Sequence, residues 1–193
     1  EMKKIPTVFM RDWAGNKALV TREPNPEAAW VFAGEGRATR KVDGTACLVR
    51  DGRLYARYDA KQGRTPPNDF EPAQPEPDPE TGHWPGWVPV TDAPQFKWHR
   101  EAYANLCLPE DTHALEDGTY ELVGPKVQGN AEACPVHELH RHGEHRLDAA
   151  PRDFDGLRAY LTEVVMEGIV WHHPDGRMAK IKRRGFGLPW PVR

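Results

Sequence analysis

Arg37-Ala38-Thr39-Arg40-Lys41-Val42-Asp43-Gly44-Thr45 is the stretch from which the rest of the chain is read. Thr39 to Val42 and Thr45 to Arg50 are short apolar-polar segments with the alternation of strands that bury one face. Asp51-Gly52 then supplies a two-residue hairpin turn, whose central positions need positive φ. Arg53 to Tyr58 reads as the returning strand, with Leu54, Ala56 and Tyr58 on one face and Tyr55 and Arg57 on the other. This reading puts Lys41 and Arg57 near each other on neighbouring strands of one hairpin sheet. Lys41 itself ends a strand, followed by one spacer and Asp43-Gly44. The carboxylate is beside the amine, placed to bind it or a metal. The glycine is expected to take a backbone turn that other residues adopt only at a cost.

Outward from this stretch, hairpins dominate. Pro6 to Met10 reads as a short strand, and Asn25-Pro26-Glu27 as a helix start with Asn25 as cap and Pro26 in first position, the helix ending by Gly34. Phe96 to Leu106 carries mixed helical and extended signals. Glu116 to Thr119 is a turn leading into a strand over Tyr120 to Val123. Asp153 to Val165 has helical periodicity, with Leu157, Tyr160, Leu161, Val164 and Val165 on one face. Met166 to His172 and Arg177 to Arg183 are strands joined at Pro174-Asp175-Gly176. The expected fold is α+β: mostly antiparallel sheets with flanking helices, one domain over residues 1–193. Nine prolines fall from Pro66 to Pro94, so residues 65–94 read as an irregular surface insert. Within it, His83 to Val90 is too aromatic for a solvated linker and is expected to pack back on the domain.

A length of 193 residues suffices for a sizeable core, and no apolar run is long enough to span a membrane. The three cysteines, Cys47, Cys107 and Cys134, have no metal-type spacing and read as buried thiols in a reducing cytoplasm. The net charge of −3 speaks against a wholly basic nucleic-acid binder. Charge is nevertheless segregated: residues 69–80 hold five acids and no Lys or Arg, and from Arg177 onward there are six basic residues and no acid. Such segregation suits a phosphate pocket, although a solvated basic tail accounts for it equally well.

The second hairpin carries a candidate pocket wall. Lys180 and Lys182 alternate to one face and Ile181 to the other, while Glu167 lies on the partner strand. Cross-strand ion pairs explain most such patterns without any function. Beside Lys41 the combination acquires chemistry. An amine attacks phosphorus only after losing its proton, and cations at Arg57, Lys180 and Lys182 favour that loss. The same cations would neutralise charge developing on a phosphate, and carboxylates at Asp43 and Glu167 suit Mg²⁺, directly or through its waters. The histidines His137, His140, His142 and His145 read as an exposed segment or as phosphate contacts rather than a zinc site. Arg141 and Arg146 would repel a cation there, and only Cys134 offers a nearby thiol.

In order, Lys41-Val42-Asp43-Gly44, Tyr120-Glu121-Leu122-Val123-Gly124, Glu167-Gly168-Ile169-Val170-Trp171 and Lys180-Ile181-Lys182 resemble the motifs of the covalent nucleotidyltransferases. The resemblance spans residues 37–187 and is closest to the small stand-alone ATP-dependent RNA ligases that join 5′ to 3′ ends. It implies a nucleotidyltransferase (ligase adenylation) domain in which Lys41 takes up AMP. It further implies that Glu121 binds the nucleotide ribose, Glu167 serves the metal with Asp43, and Lys180 and Lys182 hold the α-phosphate. Thr39 and Arg40 would border the adenine, largely through backbone groups, and Arg57 resembles the arginine of the strand after the nucleophile. ATP and Mg²⁺ (or Mn²⁺) are the implied cofactors, and RNA with 5′-phosphate and 3′-hydroxyl ends the implied partner. A monomeric cytoplasmic enzyme is expected.

Two features depart from many relatives. Pro135 to Gly143 contains no Phe or Tyr to stack on adenine, and eleven residues after Lys182 leave no room for an appended oligonucleotide-binding barrel. The alternatives are a DNA nick ligase or other lysine-AMP nucleotidyltransferase, and a nucleotide- or RNA-binding module without turnover. Intact Lys41, Glu121, Glu167, Lys180 and Lys182 speak against the last.

Overall fold

The computed structural model describes residues 5–79, 81–106 and 115–192, so Cys107 lies outside the described residues. In chain order the elements are β1 (Phe9–Arg11), β2 (Val20–Pro24), α1 (Ala29–Phe32), β3 (Arg37–Lys41), β4 (Thr45–Arg50), β5 (Arg53–Ala60) and β6 (Glu71–Pro72). They continue with β7 (Trp84–Pro89), α2 (Lys97–Leu106), β8 (Gly118–Val123), β9 (Glu138–Arg141), α3 (Phe154–Glu163), β10 (Gly168–His172) and β11 (Met178–Lys182). The fold is α+β, its named strand pairs are antiparallel, and among the described residues no sheet closes into a barrel. The chain divides into two compact units: Asp43–His142, and Lys4–Val42 with Gly143–Arg193.

In the split unit β3, β10 and β11 form a three-stranded sheet with β10 in the centre. Val8 donates its N–H to the Lys180 carbonyl (2.9 Å) and Lys180 to that of Pro6 (2.9 Å), which adds residues 6–8 beside β11 as a parallel bridge. On the far side of β3, Arg40 donates to His145 (2.8 Å) and Leu147 to Ala38 (3.0 Å). One face of this sheet is core: Ile169, Trp171, Ala179 and Ile181 are each 0% exposed and pack with Val8, Phe9, Leu157 and Leu161. The alternation expected of the second hairpin is therefore realised, since Ile181 enters the core and Lys180 and Lys182 do not.

The expected Asn25 cap is present, and Asp153 caps the second helix. Asn25 accepts the Glu27 N–H (3.1 Å), starting a short 3-10 turn that continues into α1. Asp153 accepts the Gly156 N–H (2.8 Å) and starts α3, which buries Leu157 and Leu161. The apolar face ends earlier than periodicity suggests. Val164 is already extended and Val165 is 55% exposed, so neither belongs to the helix face. The cause lies in the buried Arg183 guanidinium, which donates to the carbonyls of Leu161, Val164 and Pro189 and caps the helix end from outside it.

The continuous unit is a six-stranded sheet in the order β6-β7-β5-β4-β8-β9. Asp51 and Gly52 take φ of 51° and 69°, as the hairpin between β4 and β5 requires. Cys47, Val49, Leu122 and Leu139 pack with Ala102 of α2, which settles the ambiguous stretch after Phe96 as helix. Residues 65–94 are more regular than their prolines suggest. Trp84 to Pro89 pairs with β5 over six residues, and Trp87 and Val88 are buried, so this segment packs back as a full strand. Burial of these apolar residues outweighs the propensity against Pro in strands.

Candidate active site

Three backbones meet at Gly168. Its Cα partners are Lys41 on β3 and Lys182 on β11, so the two lysines flank a residue without a side chain. Residues opposite each other in an antiparallel sheet share a face, and here that is the face away from the core. A Cβ on Gly168 would meet the Ile181 carbonyl oxygen at 2.1 Å, so glycine is demanded by the close approach of β10 to β11. Glu167, just before β10 and 4% exposed, spans the gap. Its Oε2 accepts from Lys41 Nζ at 2.6 Å and its Oε1 from Lys182 Nζ at 2.7 Å.

One row further along the same face lie Thr39, Val170 and Lys180. Burial, then the neighbouring Lys182, Lys41 and Arg11, lowers the Lys180 ammonium pKa to about 8, with Glu167 acting in the opposite direction. Three lysines thus gather at one carboxylate: Lys41 and Lys182 in contact with Glu167, and Lys180 in the next row. This is a charge surplus suited to a polyanion, and the arrangement is more than the cross-strand ion pair it resembles in sequence. Thr39 is buried, donating its hydroxyl to the Val170 carbonyl (3.1 Å), so His172 Nε2 (3.1 Å) must donate to Thr39. The Arg40 N–H is taken by His145.

The remaining candidates belong to the continuous unit. Gly44 is not in a positive-φ turn. Its Cβ would strike the Leu122 carbonyl oxygen at 2.1 Å, so it is glycine for close approach to β8, and its N–H donates to Glu121 Oε1 (3.0 Å). Glu121 Oε2 contacts His142 Nε2 (2.7 Å), whose Nδ1 contacts Thr119 Oγ1 (2.9 Å). The Asp43 N–H donates to Glu132 Oε1 (2.8 Å). Arg57 does not share a sheet with Lys41. β3 pairs with β10 and not with β4, and Arg57 sits on β5 opposite Trp87, 3.7 Å from Asp59. Local turn chemistry correctly joins β4 to β5 but carries no information on where β3 pairs.

Sequence reasoning missed Arg11, His142 and Glu132 as members of these networks. Within the basic C-terminal stretch, Arg177 pairs with Asp175 (2.8 Å), Arg183 caps α3, and Arg184 donates to the Trp190 carbonyl (2.8 Å); among the described residues this leaves Lys180 and Lys182 to the site face. The four histidines form no common ligand set. His137 is 3% exposed and stacks on Trp98 at 4.6 Å, and His142 serves Glu121.

Open, mostly antiparallel sheets with few helices are the fold of a nucleotidyltransferase-type domain. The family model described as RNA ligase 1 matches residues 69–193, and the chain belongs to that family. Glu121, Glu167, Lys180 and Lys182 fall inside the matched stretch, and Lys41 precedes it. Similar curated relatives are RNA ligase 1 of Danio rerio, 29% identical, and of Rattus norvegicus, 28% identical, each over 98% of this chain and 82% of the relative. RNA ligase 1 of Pongo abelii is 29% identical over the same shares.

Proposed function

We propose that this chain is an ATP-dependent RNA ligase that works through an adenylated Lys41. The observation that carries the proposal is the Glu167 carboxylate held between Lys41 and Lys182, with Lys180 in the next row. Lys180 and Lys182 draw the triphosphate towards Gly168. Lys41 Nζ, having released its proton, attacks the α-phosphorus: a P–N bond forms, the bond to the bridging oxygen breaks, and pyrophosphate leaves. The ammonium groups of Lys180 and Lys182 stabilise the charge that develops on the α-phosphate. A 5′-phosphate oxygen of RNA then takes the AMP, breaking P–N and returning the proton to Lys41. Finally a 3′-hydroxyl attacks the activated 5′-phosphate, AMP leaves, and the phosphodiester is closed.

Glu121 is proposed to hold the ribose, with Thr39, Arg40 and Arg57 completing the nucleotide site. Asp43 and Glu167 would hold Mg²⁺, Glu167 through metal-bound water because both its oxygens already accept from lysines. Bound there, the ion would neutralise phosphate charge. A cytoplasmic monomer remains part of the proposal. The test is incubation with ATP labelled at the α-phosphate, Mg²⁺ and a 5′-phosphorylated RNA. Labelled protein, then labelled adenylylated RNA, then sealed product is the expected order. Sealing without labelled protein, or no sealing at all, contradicts the proposal.

A further inference from the structure

We propose that Cys134, Glu138 and His140 form a binding site for a zinc-class divalent ion, outside the residues assigned to nucleotide chemistry. One potential ligand atom from each of the three lies within 4.8 Å of the others. Alternation on β9 puts Glu138 and His140 on one face, while Leu139 points to the core and Arg141 turns to Glu116. Of the two arginines that argue against a cation in the sequence, Arg141 therefore faces away from this cluster and Arg146 pairs with Asp148 (3.2 Å).

Cys134 is positioned by its backbone. The Asn130 side chain accepts from the Cys134 N–H (2.9 Å) and donates to the Cys134 carbonyl (3.1 Å). Three non-glycine residues of the same loop stand at positive φ: Gln128 at 45°, Asn130 at 54° and Ala133 at 54°. L-residues rarely adopt that region, and such departures gather where the chain is held for a purpose. Here they bring the thiol of Cys134 to a strand, begun four residues later, that already presents a carboxylate and an imidazole. His140 Nε2 and Glu138 Oε2 lie 2.9 Å apart.

The ligand set selects the ion. Thiolate and imidazole together favour zinc over Mg²⁺, which prefers oxygen donors. Tetrahedral zinc, with bonds of about 2.0–2.3 Å, needs ligand atoms roughly 3.3–3.8 Å apart, so closure asks for a shift of about 1 Å. Three protein ligands leave the fourth position to water. The ion would pin the loop that carries Glu132, the acceptor of the Asp43 N–H, to the strand paired with that of Glu121. Binding should therefore stiffen the acidic wall of the continuous unit and release protons from the thiol.

The test uses the full chain, stripped with a chelator and titrated with Co²⁺ as a spectroscopic stand-in, then with Zn²⁺. The expected result is one ion per chain and a sulfur-to-cobalt charge-transfer band in the near-ultraviolet that zinc abolishes. Cys134→Ser keeps the backbone clamped by Asn130 and should lose the band, and His140→Ala should weaken zinc binding at least about 100-fold. His145→Ala should bind as wild type. Absence of the band, its persistence in Cys134→Ser, or zinc affinity unchanged in His140→Ala overturns the proposal. None of these outcomes bears on Lys41 labelling.

Discussion

At the residue scale the site turns on Glu167, which accepts from two lysines while almost wholly buried. Removing its charge would leave Lys41 and Lys182 facing each other without the acid between them. Glu167→Gln should slow covalent AMP uptake by about 100-fold or more, read as the initial rate of labelling. An unchanged rate would reduce the acid to a packing role. Lys180 makes a pH prediction. Its pKa near 8 means that the ammonium is lost as pH rises through 8, so kcat/KM for ATP should fall on an alkaline limb there. Lys180→Arg should carry that limb upward. The same depression has a sign for stability. Below about pH 8 the folded chain holds a proton on Lys180 that burial disfavours, and this cost disappears as pH rises towards the ordinary lysine value of 10.5. Lys180→Met should therefore be more stable than wild type at pH 7, by about 2 kcal/mol after allowance for solvent, with the difference shrinking by pH 10. Paired chemical denaturation at the two pH values checks it.

At the scale of elements, two glycines set how closely strands approach. Gly44→Ala would drive a methyl into the Leu122 carbonyl, and should cost about 1–3 kcal/mol and disturb the Gly44 bond to Glu121. A melting temperature equal to wild type would show that β4 and β8 yield freely. Elements also show what was legible in the sequence. The β4–β5 and β10–β11 hairpins are readable because their turns, Asp51-Gly52 and Pro174-Asp175-Gly176, are local signals. The two capped helix starts are readable for the same reason. The pairing of β3 with β10 is not, because it joins residues more than a hundred positions apart and depends on which strand edges are open. That single pairing decides that Lys41 meets Glu167 and shares no sheet with Arg57. Lys180 and Lys182 were legible as one face from alternation alone. His142 and Arg11 were not, since their partners are set by register across strands and by packing.

At the scale of the whole molecule, a net charge of −3 coexists with a cationic face at Lys41, Lys180 and Lys182. Few phosphates can be neutralised by so small a surface, so RNA ends should be gripped weakly and sealing should fall steeply with salt. Ends bearing a ribose at the 3′-hydroxyl should join much better than all-DNA ends, because a 2′-hydroxyl is what a small contact surface can distinguish. A matched set of RNA, DNA and single-ribose junctions at two salt concentrations reads both effects, and equal joining of the DNA set would favour a DNA nick ligase. The central claim is more direct than substrate choice: Lys41 is the group that becomes covalently modified. Mass spectrometry of the protein after incubation with ATP and Mg²⁺ should find one AMP per chain, localise it by fragmentation to Lys41, and find none in folded Lys41→Ala. AMP located on another residue, or retained by Lys41→Ala, would contradict the account.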